Sequence, residues 1–302
     1  MLRRLLPLTL VLVLCSCSPK KYAIHQLGNS LSGLSDSMAA DDDPELVRSA
    51  LPFSLKLIET LIAANPKDEK LLFEATTGFT QYAYGFVQED ADELQDSDRV
   101  RSAALRARAA KLYIRARDYG LRAFDVRYTN FTARLKANPK EAVELLHKGD
   151  VPLMYWTVIA WASALSASHD FTMLPEIPRF EALADRVLQL DDAYNEGAMH
   201  GFMITYEMSR LKPKPDRVEI AKAHFERNLE LAHGHQVAPY VTYAESVLVA
   251  QKDKAGFEQM LRQALSINPN TWPEHRELNM LMQRRARWLL GRTDKLFPNT
   301  GP

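Results

Sequence analysis

The chain predicts an all-α fold of helical hairpin repeats, cryptically tetratricopeptide-like, in a single domain, and three observations carry that reading. Leu, Ala, Glu, Arg and Lys dominate while glycine is scarce, at 12 of 302 residues, and such side chains lose little rotamer freedom in a helix. Apolar residues recur at three- and four-residue spacing, with no convincing alternation of the kind a strand requires. Apolar stretches also end repeatedly at Asn-Pro, as at Asn65-Pro66, Asn138-Pro139 and Asn268-Pro269, with a related Leu190-Asp191-Asp192 between them. A proline lacks the N–H a continuing helix needs.

The first element is a leader. Met1-Leu2-Arg3-Arg4 precedes an apolar run from Leu5 to Leu14, the layout of a secretory signal peptide. It closes on Leu14-Cys15-Ser16-Cys17, which looks like the lipobox of a bacterial lipoprotein, so residues 1–16 are expected to be removed and Cys17 to carry the lipid. Each buried acyl methylene contributes about 0.8 kcal/mol, enough over several chains to hold a soluble body at a membrane without a spanning helix. Ser18, rather than an Asp, follows the cysteine, which in the usual bacterial sorting pattern points to the outer membrane with the body, residues 17–302, in the periplasm.

Beyond it, Ile24, Leu27, Leu31, Leu34 and Met38 mark an amphipathic helix that ends at Asp41-Asp42-Asp43. Asp43-Pro44-Glu45 then supplies an N-cap, a proline at the first helical position and an acid in the first turn, opening a helix to about Ala64. Further helices are expected over Lys67–Gln88, Asp98 to about Phe124, Lys140–Lys148, Val151–Ser168, Ile177–Leu190, Asn195–Leu211, Asp216–Ala232, Ala238–Gln251, Lys254–Ile267 and Glu274–Leu290. The breaks at Asn65, Asn138, Asp191 and Asn268 are 73, 53 and 77 residues apart. Two of these lie near twice the roughly 34-residue tetratricopeptide period, so the repeats are degenerate.

Val151 to Ser168 carries no charge for 18 residues, the length of a membrane span. Pro152, Thr157 and three serines argue instead for the central helix of a soluble bundle. An apolar content of 46% suits a globular core. Lys and Arg total 38 against 38 Asp and Glu, a balance that gives no footing for nucleic acid. Both cysteines stand at the N-terminus, leaving no thiol in the folded body for a disulfide, zinc or nucleophilic catalysis.

Catalytic and cofactor signatures are missing: there is no Gly-rich phosphate loop, nucleophile elbow, His-Glu-x-x-His helix or paired-cysteine site. The expectation is a protein with no catalytic residues, no metal and no cofactor. His233-Gly234-His235 could ligate a metal given a third donor, but it reads better as a helix end with Gly234 in the left-handed cap. Arg101, Arg108, Arg115 and Arg122 recur every seven residues, which suits docking of an acidic partner or of lipid phosphates or, preferably, a solvated helix face. Aromatic residues are more suggestive. Tyr155, Trp156 and Trp161 lie on the uncharged helix and Phe202 and Tyr206 on a later one. Such side chains combine large apolar area with a polar handle, so these five are the candidate lining of a pocket or pore, against the alternative that they fill gaps between packed helices.

The block from Asp150 to Leu165 resembles the TRAP-transporter-associated T components, the TatT family. Four further blocks agree in order: Phe180 to Asp191, Tyr194 to Gly201, Ala223 to Arg227 with Tyr240 to Glu245, and Asn279 through Arg285-Ala-Arg-Trp-Leu-Leu-Gly291. Asp90 to Phe131 matches only loosely. The resemblance implies a homotrimeric, all-helical periplasmic lipoprotein with an apolar pore in each subunit. Its implied partner is a TRAP solute-binding protein, and its implied ligand an apolar or amphipathic small molecule. It transfers no enzymatic residues. The rival reading from another class is a noncatalytic scaffold lipoprotein for envelope assembly, and a metal-dependent hydrolase using His233 and His235 is a third.

Overall fold

The computed structural model describes residues 39–168 and 170–298. The leader, Cys17 and the helix expected over Ile24–Met38 lie outside the described residues. Among those described, every regular element is helical and no strand occurs, and the helices form one compact domain.

Helix α1 (Pro44–Ala64) begins where the carboxylate of Asp43 accepts the N–H groups of Glu45 and Leu46, donors that the first helical turn otherwise leaves unpaired. It stops at Asn65. Asp68 caps α2 (Glu69–Tyr82), which continues through a π-helical turn at Ala83–Gln88 into the short α3 (Glu89–Glu93). The longest helix, α4 (Arg99–Arg127), is capped by Asp98. A left-handed Asn130 then admits α5 (Phe131–Ala137), which no periodicity announced. The helix expected over Lys140–Lys148 is cut to α6 (Pro139–Val143), because Asn138 caps it and the chain must turn into a 3-10 segment at Lys148–Asp150.

The uncharged helix α7 (Val151–Ser168) is the axis of the first core cluster. By length and composition Lys148–Ser168 meets the requirement for a membrane span. Instead α2, α4 and α8 (Ile177–Asp191) pack around it. Gly120 on α4 makes the closest approach: a Cβ there would stand 2.2 Å from Thr157 Oγ1 of α7.

The second cluster gathers α9 (Tyr194–Ser209), α10 (Arg217–Leu231), α11 (Ala238–Tyr243), α12 (Lys254–Ser266) and α13 (Arg276–Leu290), with α14 (Thr293–Leu296) at the end. Two departures stand out. The start of α9 winds left-handed at Asn195, Glu196 and Gly197, and a second π-helical turn, Ala244–Leu248, follows α11. Tyr84 packs against both clusters and joins them.

Candidate functional site

Helix α7 has two unlike sides. Val151, Leu153, Met154, Thr157, Val158, Ala160, Trp161 and Ala164 are buried. Pro152, Tyr155, Trp156, Ile159 and Ser163 are half-buried, and their three- and four-residue spacing places them on one stripe. Burial pushes the Tyr155 phenol well up, helped by neighbouring Tyr194, although the side chain keeps accessible surface. Tyr155 is packed against the first core cluster with part of its side chain still exposed.

The five aromatic candidates divide into three settings. Tyr155 meets Trp156 edge-on with ring centroids 5.1 Å apart and lies 5.6 Å from the Tyr194 ring. Burial also raises the Tyr194 phenol, against a hydrogen bond from Trp156. Phe202 stacks on Tyr206 at 5.5 Å, and Tyr206 meets Phe180 edge-on at 5.3 Å. The Tyr206 hydroxyl donates to Glu181 Oε1 at 2.6 Å, which also accepts from Arg210, whose guanidinium lies 5.0 Å over the Tyr206 ring. Trp161 is different. It is 2% exposed, its Nε1 donates to Glu176 Oε2 at 2.7 Å, and Arg117 covers its ring while pairing with the same carboxylate. That is the place of a packing residue, with no face left for a ligand.

A cleft of about 290 Å³ opens at the N-terminal end of α7. Its walls are Phe73, Pro152 and Leu153, its floor passes Gly149, and Glu69, Lys70, Glu74 and Arg127 stand around it. None of the five aromatic candidates lines this cleft, but Pro152 begins the half-buried stripe. Arg127 is paired with Asp150 and Glu69. Asp150 also accepts from the Tyr128 hydroxyl and the His147 N–H, which with Arg127 hold its carboxyl below the usual range against the cost of burial. One edge of the cleft is therefore an ion pair, Arg127 with Glu69, beside the apolar Phe73, Pro152 and Leu153.

The arginine stripe of α4 is not simply solvated. Arg108 donates to the Tyr82 hydroxyl, Arg115 pairs with Glu59 and covers Phe79, and Arg122 lies over Tyr119. Three of the four guanidinium groups thus lie over aromatic rings, a cation–π arrangement that heptad spacing alone does not reveal. His233 and Gly234 take left-handed conformations after α10, as expected of a helix end. His235 stacks on Trp272 with centroids 3.5 Å apart. Among the described residues no group of three or more His, Cys, Asp or Glu side chains could hold a metal ion.

Sequence reasoning missed a buried charge cluster. Arg285 of α13 donates to Glu89, Asp92 and Glu245, at 2.7, 3.1 and 2.7 Å. Glu89 follows the first π-helical turn and Glu245 lies within the second. Each widened turn therefore delivers a carboxylate to one guanidinium, and π-bulges are commonly retained for such placements. The available signal was the run of acids from Glu89 to Glu93 facing no basic partner in its own segment. Also unforeseen was the contact of His200 Nδ1 with His224 Nδ1 at 2.8 Å, which ties α9 to α10.

Among known proteins, the family model of the TRAP transporter T-component matches residues 40–297. The chain is also similar to an uncharacterized protein of Treponema pallidum (strain Nichols), 27% identical over 308 residues that cover 94% of both chains.

Proposed function

The chain belongs to the TRAP transporter T-component family, and from that premise we propose that it is a noncatalytic periplasmic partner of a TRAP solute-binding protein. Lipid on Cys17 holds it to the outer membrane, and it works as a homotrimer of helical-hairpin subunits. Each subunit takes an apolar or amphipathic small molecule along α7. The observation that carries this reading is the uncharged, half-buried stripe of Pro152, Tyr155, Trp156 and Ile159, with the desolvated Tyr155 phenol on it. A ligand tail laid on this stripe leaves water at about 25 cal/mol per Å² of apolar area. Phe202 and Tyr206 continue the aromatic surface, and the cleft beside Pro152 is the entrance.

Native mass spectrometry of the mature chain, alone and with the solute-binding protein encoded beside it, tests the proposal. A trimer that gains the partner and carries a small apolar adduct supports it. A bare monomer indifferent to that partner overturns it in favour of a scaffold role.

A further inference from the structure

Two exposed helix faces, distant in sequence, carry opposite charge at the same spacing. On α4 a ridge runs through Arg101, Ala104, Arg108, Lys111 and Arg115, and all five are exposed. On α10 and its capping residue a ridge runs through Asp216, Glu219, Ala223, Glu226 and Glu230, again all exposed. Both advance by three, four, three and four residues, which keeps each set on one side of its helix. Each ridge therefore presents four like charges and one alanine, spread over about 21 Å.

Pairing within the chain leaves much of this charge open. Among the described residues, Arg101, Lys111, Asp216 and Glu219 form no ion pair, and α4 and α10 share none. Arg115 shares Glu59 with Lys56, and Arg108 donates to the Tyr82 hydroxyl. Glu226 and Glu230 pair with Lys222 and Arg227, which flank the ridge on the same helix.

We infer that α4 of one copy of this chain docks along α10 of a second copy, antiparallel, with the two ridges in register. Antiparallel helix dipoles attract at both ends. In this register Arg115 meets Asp216, Lys111 meets Glu219 and Arg101 meets Glu230. All four side chains that form no ion pair within a chain thereby gain one. In the two remaining layers Arg108 faces Ala223 and Glu226 faces Ala104, so each long side chain lies over a small one and the two reach each other across the seam. A single exposed ion pair contributes little. Several in a row set which faces meet and in which direction. Because the two faces differ, the contact is head-to-tail, and such contacts close into rings when the rotation allows. This contact joins the subunits of the homotrimer proposed above and rests on that reading.

Native mass spectrometry of the mature full-length chain over a concentration series tests the contact, with circular dichroism and thermal melts to show that each variant is folded. Arg101→Glu/Lys111→Glu and Glu219→Lys/Glu230→Lys each set like charges face to face, at exposed positions and with residues that favour helices. Each should raise the dissociation constant of the trimer by about tenfold or more. The chain with all four substitutions should return to within about threefold of the parent, as coupled pairs do. Mixed with isotope-labelled parent, it should assemble with its own kind. Reversals that leave the trimer as stable as the parent's would overturn the inference while the homotrimer stands. Two weakening reversals that do not rescue each other would overturn the pairing of these faces. So would an Arg101→Glu/Lys111→Glu chain that stays trimeric but loses the solute-binding protein, since the basic ridge would then serve that partner. A parent that is monomeric at every concentration would overturn both the contact and the homotrimer, an outcome distinct from the others.

Discussion

Arg285 Nη1 meets Glu89 Oε1 at 2.7 Å, and both side chains are buried. The surroundings hold more acid than base. Arg285 and Arg106 face Glu89, Asp92 and Glu245, so one carboxylate is in excess. Desolvation therefore wins over the attraction of Arg285 and pushes the Glu89 carboxyl up to about 7, while the surrounding carboxylates raise the Arg285 guanidinium. The extra proton is the cheapest way to neutralise the cluster.

The sign of the pH effect follows. With its folded pKa above the unfolded one, Glu89 binds protons more tightly in the folded protein, so its contribution to stability is lost as pH rises from about 4.5 to about 7. Glu89→Gln should remove that slope, and its melting temperature relative to the parent should rise between pH 5 and pH 8. A constant difference across that range would sink the assignment. Arg285→Met, which leaves Glu89 and Glu245 without their guanidinium while Asp92 keeps Arg106, should cost about 3–5 kcal/mol in denaturant unfolding at pH 8.

The His200–His224 contact has the opposite sign. Only one hydrogen fits between two Nδ1 atoms 2.8 Å apart, and desolvation lowers both imidazoles, His224 to about 4. For His200, Asp192 opposes the shift. For His224, Glu207 opposes it, while charge on His200 and Lys214 reinforces it. Groups with depressed basic pKa values favour folding in the neutral form, so stability falls as pH drops from about 6.5 toward about 4. His224→Gln should shrink this acid loss, measured by thermal melts at pH 4.5 and 7. An unchanged acid loss would show that the pair does not titrate with folding.

Gly120 and Thr157 set the spacing of α4 and α7. In Gly120→Ala the new methyl would stand 2.2 Å from Thr157 Oγ1 and 3.2 Å from Thr157 Cβ and Cγ2. Overpacking of this kind costs about 1–3 kcal/mol. Adding Thr157→Ala removes both Oγ1 and Cγ2 and should recover part of the loss. Denaturant midpoints that simply add would mean the two helices move apart without strain.

How much of this was legible in the chain depended on which force decided each feature. The caps at Asp43 and the breaks at Asn65 and Asn138 are local chemistry, a side-chain acceptor or a missing N–H, and were readable as such. The central role of α7 followed from its lack of charge. The π-helical turns at Ala83–Gln88 and Ala244–Leu248 were not readable, because their backbone angles stay near helical values and only the partner Arg285 gives them a reason. The same holds for Asn195 and Glu196. Their left-handed turn is held by Asn228 donating to the Glu196 carbonyl and by Gln236 and His275 on its carboxylate, contacts from distant segments. Among the site candidates, spacing put Trp156 and Trp161 on one helix, but only packing separated the half-buried ring from the buried one.

That separation makes the last prediction a comparison. Trp156 is half-buried beside Tyr155, so Trp156→Ala enlarges the stripe without opening the core, and the protein should stay folded with a melting temperature close to the parent's. Trp161 is enclosed and holds Glu176 and Arg117 in place, so Trp161→Ala leaves a cavity and a loosened ion pair and should cost about 3–5 kcal/mol. Retention of an apolar probe such as a fatty acid, followed by native mass spectrometry, should fall in folded Trp156→Ala. If Trp156→Ala retains the probe as the parent does, the stripe on α7 is only a packing surface and the ligand site must lie elsewhere. If it unfolds instead, Tyr155→Phe repeats the test with no loss of volume. That variant removes the one polar handle on the stripe whose phenol is raised by burial, and it should shift preference toward fully apolar probes over those with a hydrogen-bonding head.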